Sequence, residues 1–111
     1  MLTKEWVGER SPFTNSKEKK MYARVTIATA QSGKTDEVIK AVRDSVLPAI
    51  KKQKGFKKLY HLTDYSTGKG IVIVFWDTEN DMKAAETGYF AKVGQLSGPP
   101  DTGHYEVSVQ G

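Results

Sequence analysis

The chain has 111 residues, 38% hydrophobic and 10% aromatic, with 17 Lys and Arg against 13 Asp and Glu for a net charge of +4. That is material for one globular domain with a single core, and too little for a multidomain enzyme. There is no cysteine and there are only two histidines, His61 and His104. A disulfide framework, an iron–sulfur cluster, a thiolate zinc site and a cysteine nucleophile are therefore excluded, and no metal or cofactor is expected. Basic residues are scattered, apart from Lys51, Lys52, Lys54, Lys57 and Lys58, so nucleic acid is not expected as a partner.

Residues 1–20 carry no periodicity and end in the charged run Lys17 to Lys20. They read as a flexible N-terminal arm, with Met21 a candidate natural start and Trp6 and Phe13 available to clamp a neighbouring subunit. No stretch has the length and apolarity of a signal peptide or a membrane span, and a soluble cytoplasmic protein that avoids membranes is expected.

The folded domain is expected over 21–111. Val25 and Ile27 alternate with Arg24 and Thr26 in a first strand, Tyr22 to Ala30. Gly33 turns the chain, and Thr35 reads as the N-cap of a helix whose first turn holds Asp36 and Glu37. Val38, Ile39, Val42, Val46, Leu47 and Ile50 give that helix an apolar face, Pro48 should bend it, and Gly55 should close it in the left-handed conformation.

Phe56 to Thr63 and Gly70 to Trp76 read as two strands of an antiparallel hairpin. Ile71, Ile73 and Phe75 point one way and Val72, Val74 and Trp76 the other, so both faces of the sheet need cover. Thr78 and Asp81 resemble a capping box that starts a second helix with the stripe Met82, Ala85, Tyr89, Phe90, Val93 and Leu96, weakened by Gly88 and Gly94. After Pro99-Pro100, Tyr105, Val107 and Val109 alternate in a last strand.

The order β-α-β-β-α-β predicts an α+β, ferredoxin-like domain: a four-stranded antiparallel sheet with two helices on one face. The second apolar face predicts a homodimer, sheet against sheet, in an α+β barrel.

Three shorter patterns compete for attention. Ala28 to Thr35, ATAQSGKT, imitates a phosphate loop, but Ala28 replaces its first glycine, and a turn and cap explain Gly33-Lys34-Thr35 as well. Lys54-Gly55-Phe56 begins like an RNA-recognition signature and fails at Lys57 and Lys58. His61 and His104 could act as bases, although no carboxylate is placed by sequence to orient either.

Met-Tyr-Ala-Arg-Val at 21–25, Gly55-Phe56, and Trp76-Asp77-Thr78-Glu79 resemble the antibiotic biosynthesis monooxygenase domain, a family of dimeric α+β barrels, over Met21 to about Gln110. The resemblance implies a homodimer with a pocket in each subunit between sheet and helices, and Trp76 matches the family's strand-three tryptophan. Members include cofactor-independent oxygenases that turn polycyclic phenols into quinones, haem degraders, and small proteins with no assigned activity. The amide and tyrosine expected in quinone-forming members fall here on Val72 and Met82. The strand-one asparagine and helix-two histidine of haem degraders have no counterpart.

A deprotonated phenol can itself pass an electron to oxygen, so such an enzyme needs only to exclude water, hold the ring and stabilise an anion. The expected function is thus a cofactor-independent monooxygenase acting on a small aromatic or polyketide-type compound. The alternative is a non-catalytic dimeric-barrel protein that binds a small apolar ligand. His61 and Trp76 are the candidate catalytic residues. Val25, Ile27, Val74, Trp76, Tyr89 and Phe90 are expected to wall the ligand pocket, with Arg24 or His61 as anion partner or base if their strand faces permit. Strand alternation sets Arg24 opposite Val25 and Ile27, which groups it with Ile71, Ile73 and Phe75 on the dimer face.

Overall fold

The computed structural model describes residues 20–85 and 87–111; of the expected arm, all but Lys20 lies outside them, including Trp6 and Phe13. The elements are β1 (Tyr22–Thr29), α1 (Thr35–Ala41), a π-helical stretch (Val42–Val46), α2 (Leu47–Ile50), β2 (Phe56–Asp64), β3 (Lys69–Trp76), α3 (Glu79–Ala84), a 3-10 turn (Gly88–Phe90), α4 (Ala91–Leu96) and β4 (Asp101–Glu106). The strands form one antiparallel sheet in the order β2-β3-β1-β4. Val38, Val42, Val46 and Ile50 from the first helical segment and Met82 from α3 pack on Val72, Val74 and Trp76 of β3. This is the expected ferredoxin-like α+β arrangement, with the helices on one face.

Register assigns every strand residue to a face, because side chains directly opposite one another point the same way. β1 pairs Tyr22 with Trp76, Arg24 with Val74, Thr26 with Val72 and Ala28 with Gly70, so these β1 residues face the helices. Ala23, Val25 and Ile27 pair with Phe75, Ile73 and Ile71 on the open face. Two expectations are corrected here. Val25 and Ile27 do not share a pocket wall with Val74 and Trp76, and Arg24 does not lie on the dimer face with Ile71, Ile73 and Phe75. The reason is that β1 turns its more apolar side away from its own helices.

The first helical segment departs from α-helical geometry just before Pro48. Proline has no N–H and its ring crowds the carbonyl four residues back. The ladder widens just before it, and the Leu47 N–H reaches the Val42 carbonyl, a five-residue step. The N-cap position is Lys34, with no side-chain cap, and Thr35 is already helical. Gly55 has φ +82°, and a Cβ there would overlap the Asp81 side chain. Only glycine lets the turn into β2 press against the first turn of α3.

Thr78 caps α3 as expected, accepting a hydrogen bond from the Asp81 N–H at 3.0 Å. The second helix is interrupted: α3 ends at Ala84, Ala85 is extended (ψ 133°), and α4 starts only after the 3-10 turn that contains Gly88. The last strand also sits earlier than its alternation suggests. β4 pairs with Tyr22–Ile27 of β1, so Glu106, opposite Tyr22, ends the strand, with one further bond from the Val107 N–H to the Met21 carbonyl, and Val109 is 85% exposed.

Candidate active site

α4 is held over the sheet at its C-terminal end. The Gln31 N–H bonds the Leu96 carbonyl at 2.9 Å, the Gly98 N–H bonds the Thr29 carbonyl at 2.8 Å, and the Ser97 hydroxyl donates to the Val93 carbonyl at 2.8 Å. The broken second helix leaves α4 and the 3-10 turn as a roof above β1 and β4. Beneath it lies a pocket of about 510 Å³. That volume falls in the range of small-molecule sites, roughly 300–1,000 Å³. Its floor is Arg24, Thr26 and Ala28 of β1 with Thr102 and His104 of β4, and its roof includes Phe90, Val93 and Gly94.

A second, smaller cavity of about 40 Å³ lies toward β2 and β3 and is lined by His61, Thr63, Gly70 and Val72. Thr26, Ala28, Phe90, Val93 and Ser97 line both, so the two spaces share a wall. His61 pairs with Val72 and therefore faces the helices. A Cβ at Gly70 would come within 3.1 Å of His61 Nε2, so the bare glycine makes room for the imidazole. Burial holds the His61 pKa below its ordinary 6.5, because an imidazolium loses hydration there without gaining a partner.

Arg24 is 7% exposed. Its Nη2 donates to the Met82 carbonyl at 2.5 Å and its Nε to His104 Nε2 at 3.3 Å, while Nη1 is buried without a partner. Met82 lies in the last turn of α3, where carbonyls lack intrahelical donors, and a cation there also opposes the helix dipole.

The sequence-nominated residues thus separate. His61 lines the small cavity and Phe90 lines both. Trp76 is fully buried, edge-on to Phe56 at 6.2 Å between ring centroids, and lines neither cavity. Val74 is buried in the same core, with Tyr89 packed at its margin. Val25 and Ile27 are on the open face. Missing from the expected pocket were Thr26, Ala28, Thr102 and His104. For Thr26 and Ala28 the discernible signal was the run of small or polar residues alternating with Val25 and Ile27, which reads as a solvated side until the roof is known; Thr102 and His104 join them only through the β1–β4 register. Among the described residues no group of three acidic or histidine side chains could hold a metal ion, and no helix is long and apolar enough to cross a membrane.

No protein-family model and no curated protein matches the chain. Solved structures do. A protein from Bordetella bronchiseptica named as an antibiotic biosynthesis monooxygenase superposes with TM-score 0.70 at 14% identity, over 80% of this chain and 98% of that one. The chain has the fold of the antibiotic biosynthesis monooxygenase proteins. A cofactor-independent oxygenase from Streptomyces nogalater gives TM-score 0.68 at 14% identity, over 81% of this chain and 95% of that one. A Nitrosomonas europaea protein, also named as an antibiotic biosynthesis monooxygenase, gives 0.66 at 17%, over 79% and 90%.

Proposed function

We propose that the chain is a small cofactor-independent monooxygenase that oxidises an aromatic phenol in the pocket beneath α4. The observation that carries this reading is the pocket itself: about 510 Å³, mainly apolar, and sharing a wall with the cavity that holds His61. The likeness in fold to a protein described as a cofactor-independent oxygenase agrees with it.

The chemistry asks little of the protein. A phenolate passes one electron to oxygen, and the two radicals combine at the ring carbon para to the hydroxyl. Loss of the ring proton with cleavage of the O–O bond leaves a quinone and hydroxide, so phenol and oxygen become quinone and water. An apolar pocket keeps water from the radical pair and holds the ring. His61, kept neutral by burial in the adjoining cavity, is the group suited to take the proton of a phenol whose hydroxyl reaches across the shared wall.

In this reading the open face, with Val25, Ile27, Ile71, Ile73 and Phe75, packs against a second copy of the chain. The exposure of Tyr60 (51%), Leu62 (48%) and Tyr105 (57%) supports this; they share the same face by register. Oxygen uptake and quinone absorbance with 1-naphthol test the reading. Uptake that falls strongly in His61→Ala supports it. No uptake above the uncatalysed rate with any naphthol or hydroxynaphthoate overturns the oxygenase and leaves a binding protein.

A further inference from the structure

Buried charges in folded proteins are paired, because leaving one unpaired forfeits its hydration for nothing. Arg24 is an exception. It is 7% exposed and forms no ion pair with an acidic side chain among the described residues. Of its five N–H groups, one goes to the Met82 carbonyl and one to His104, so three remain, including both on the unpartnered Nη1. Arg24 forms part of the floor of the apolar pocket, and none of the described residues lining that pocket is acidic. Arg24 is thus the one charged side chain among the described residues that line the pocket, and a counter-charge entering the pocket meets it there.

We propose that the pocket selects aromatic ligands carrying a carboxylate, which Arg24 binds. This deepens the preceding reading by naming its substrate class, a hydroxyaryl carboxylic acid. A planar guanidinium suits a planar, singly charged acceptor. A phosphate dianion would bring more negative charge than the pocket's single permanent cation offsets. A simple phenol, with a pKa near 10, arrives neutral and would leave Arg24 as it is.

His104 is a positioning residue. Its Nε2 accepts from Arg24 Nε, which requires the tautomer protonated on Nδ1, and the contact orients the guanidinium on β1 from the neighbouring strand.

The test is calorimetric titration of the full chain with 2-naphthoate and with its neutral isostere 2-naphthamide. The acid is expected to bind roughly tenfold more tightly or better, as a hydrogen-bonded charge pair implies. Arg24→Gln should erase that preference while keeping amide binding, Arg24→Lys should keep part of it, and His104→Ala should reduce it. Equal binding of acid and amide by the unaltered protein, binding of neither, or a preference that survives Arg24→Gln would each overturn the proposal. The first comparison needs no variant, so a misfolded mutant does not shield it. Acid preference without oxygen uptake from hydroxynaphthoates sinks the oxygenase alone; uptake from neutral naphthols without acid preference sinks the carboxylate site alone.

Discussion

Arg24 and His104 meet across the β1–β4 pairing, Nε to Nε2 at 3.3 Å, on the side of the sheet that faces the helices. A cation placed there stabilises nothing that the fold needs, apart from the Met82 carbonyl at the end of α3. Replacing a buried, incompletely paired charge by an apolar side chain of similar length is often neutral or stabilising. Arg24→Met is therefore expected to leave unfolding free energy within about 1 kcal/mol of the parent or to raise it, measured by urea denaturation. A loss of several kcal/mol would show that Arg24 is structural.

Trp76 behaves in the opposite way. It is fully buried and packs edge-on against Phe56, and it lines neither cavity. Trp76→Ala should cost about 3–5 kcal/mol, the usual range for emptying a large aromatic site in a core. Trp76→Phe should cost less and keep the activity of each folded molecule. Activity abolished in Trp76→Phe with unchanged stability would return this residue to the chemistry.

How much of this was readable beforehand differs by strand. In β3 both alternating sets are apolar, so Val72, Val74 and Trp76 against Ile71, Ile73 and Phe75 was legible as two covered faces. In β1 the same alternation is present, but its apolar side is the open face. Parity is a local property, but which parity meets the helices depends on the β1–β3 register, a non-local fact. The usual guess, apolar inward, fails because the inward side of β1 floors a pocket and carries Arg24 and Thr26 for that purpose. The break between α3 and α4 was hidden for a similar reason. A stripe at helical spacing continues through Ala85 and Tyr89, whereas the roof over the pocket needs the chain to change direction there.

The His61 pKa lies below 6.5 because burial disfavours the imidazolium. The unfolded chain therefore takes up the proton first as pH falls. The contribution of His61 to stability is fully present above pH 6.5 and is lost as pH drops from there through the folded-state value. Proton NMR titration of the ring should give a midpoint below 6.5. His61→Phe should flatten the acid side of the stability profile, and a midpoint at or above the ordinary value would contradict the burial argument.

On the open face, Ile73 sits in β3 opposite Val25 and Tyr60. A glutamate there would bring a charge into any sheet-to-sheet contact while leaving the helix-side core untouched. Ile73→Glu is expected to convert a dimer to a monomer by size-exclusion chromatography with light scattering. A parent protein that is already monomeric at micromolar concentration would contradict the barrel.

An aromatic ligand that enters beneath α4 is visible by methyl NMR. On titration with 1-naphthol, the methyls of Ala28, Ala91, Val93 and Thr102, which line the pocket, are expected to shift. Those of Ile27, Leu62, Ile71 and Ile73 on the open face should stay in place. Shifts confined to the open-face set, or none at all, would contradict the account.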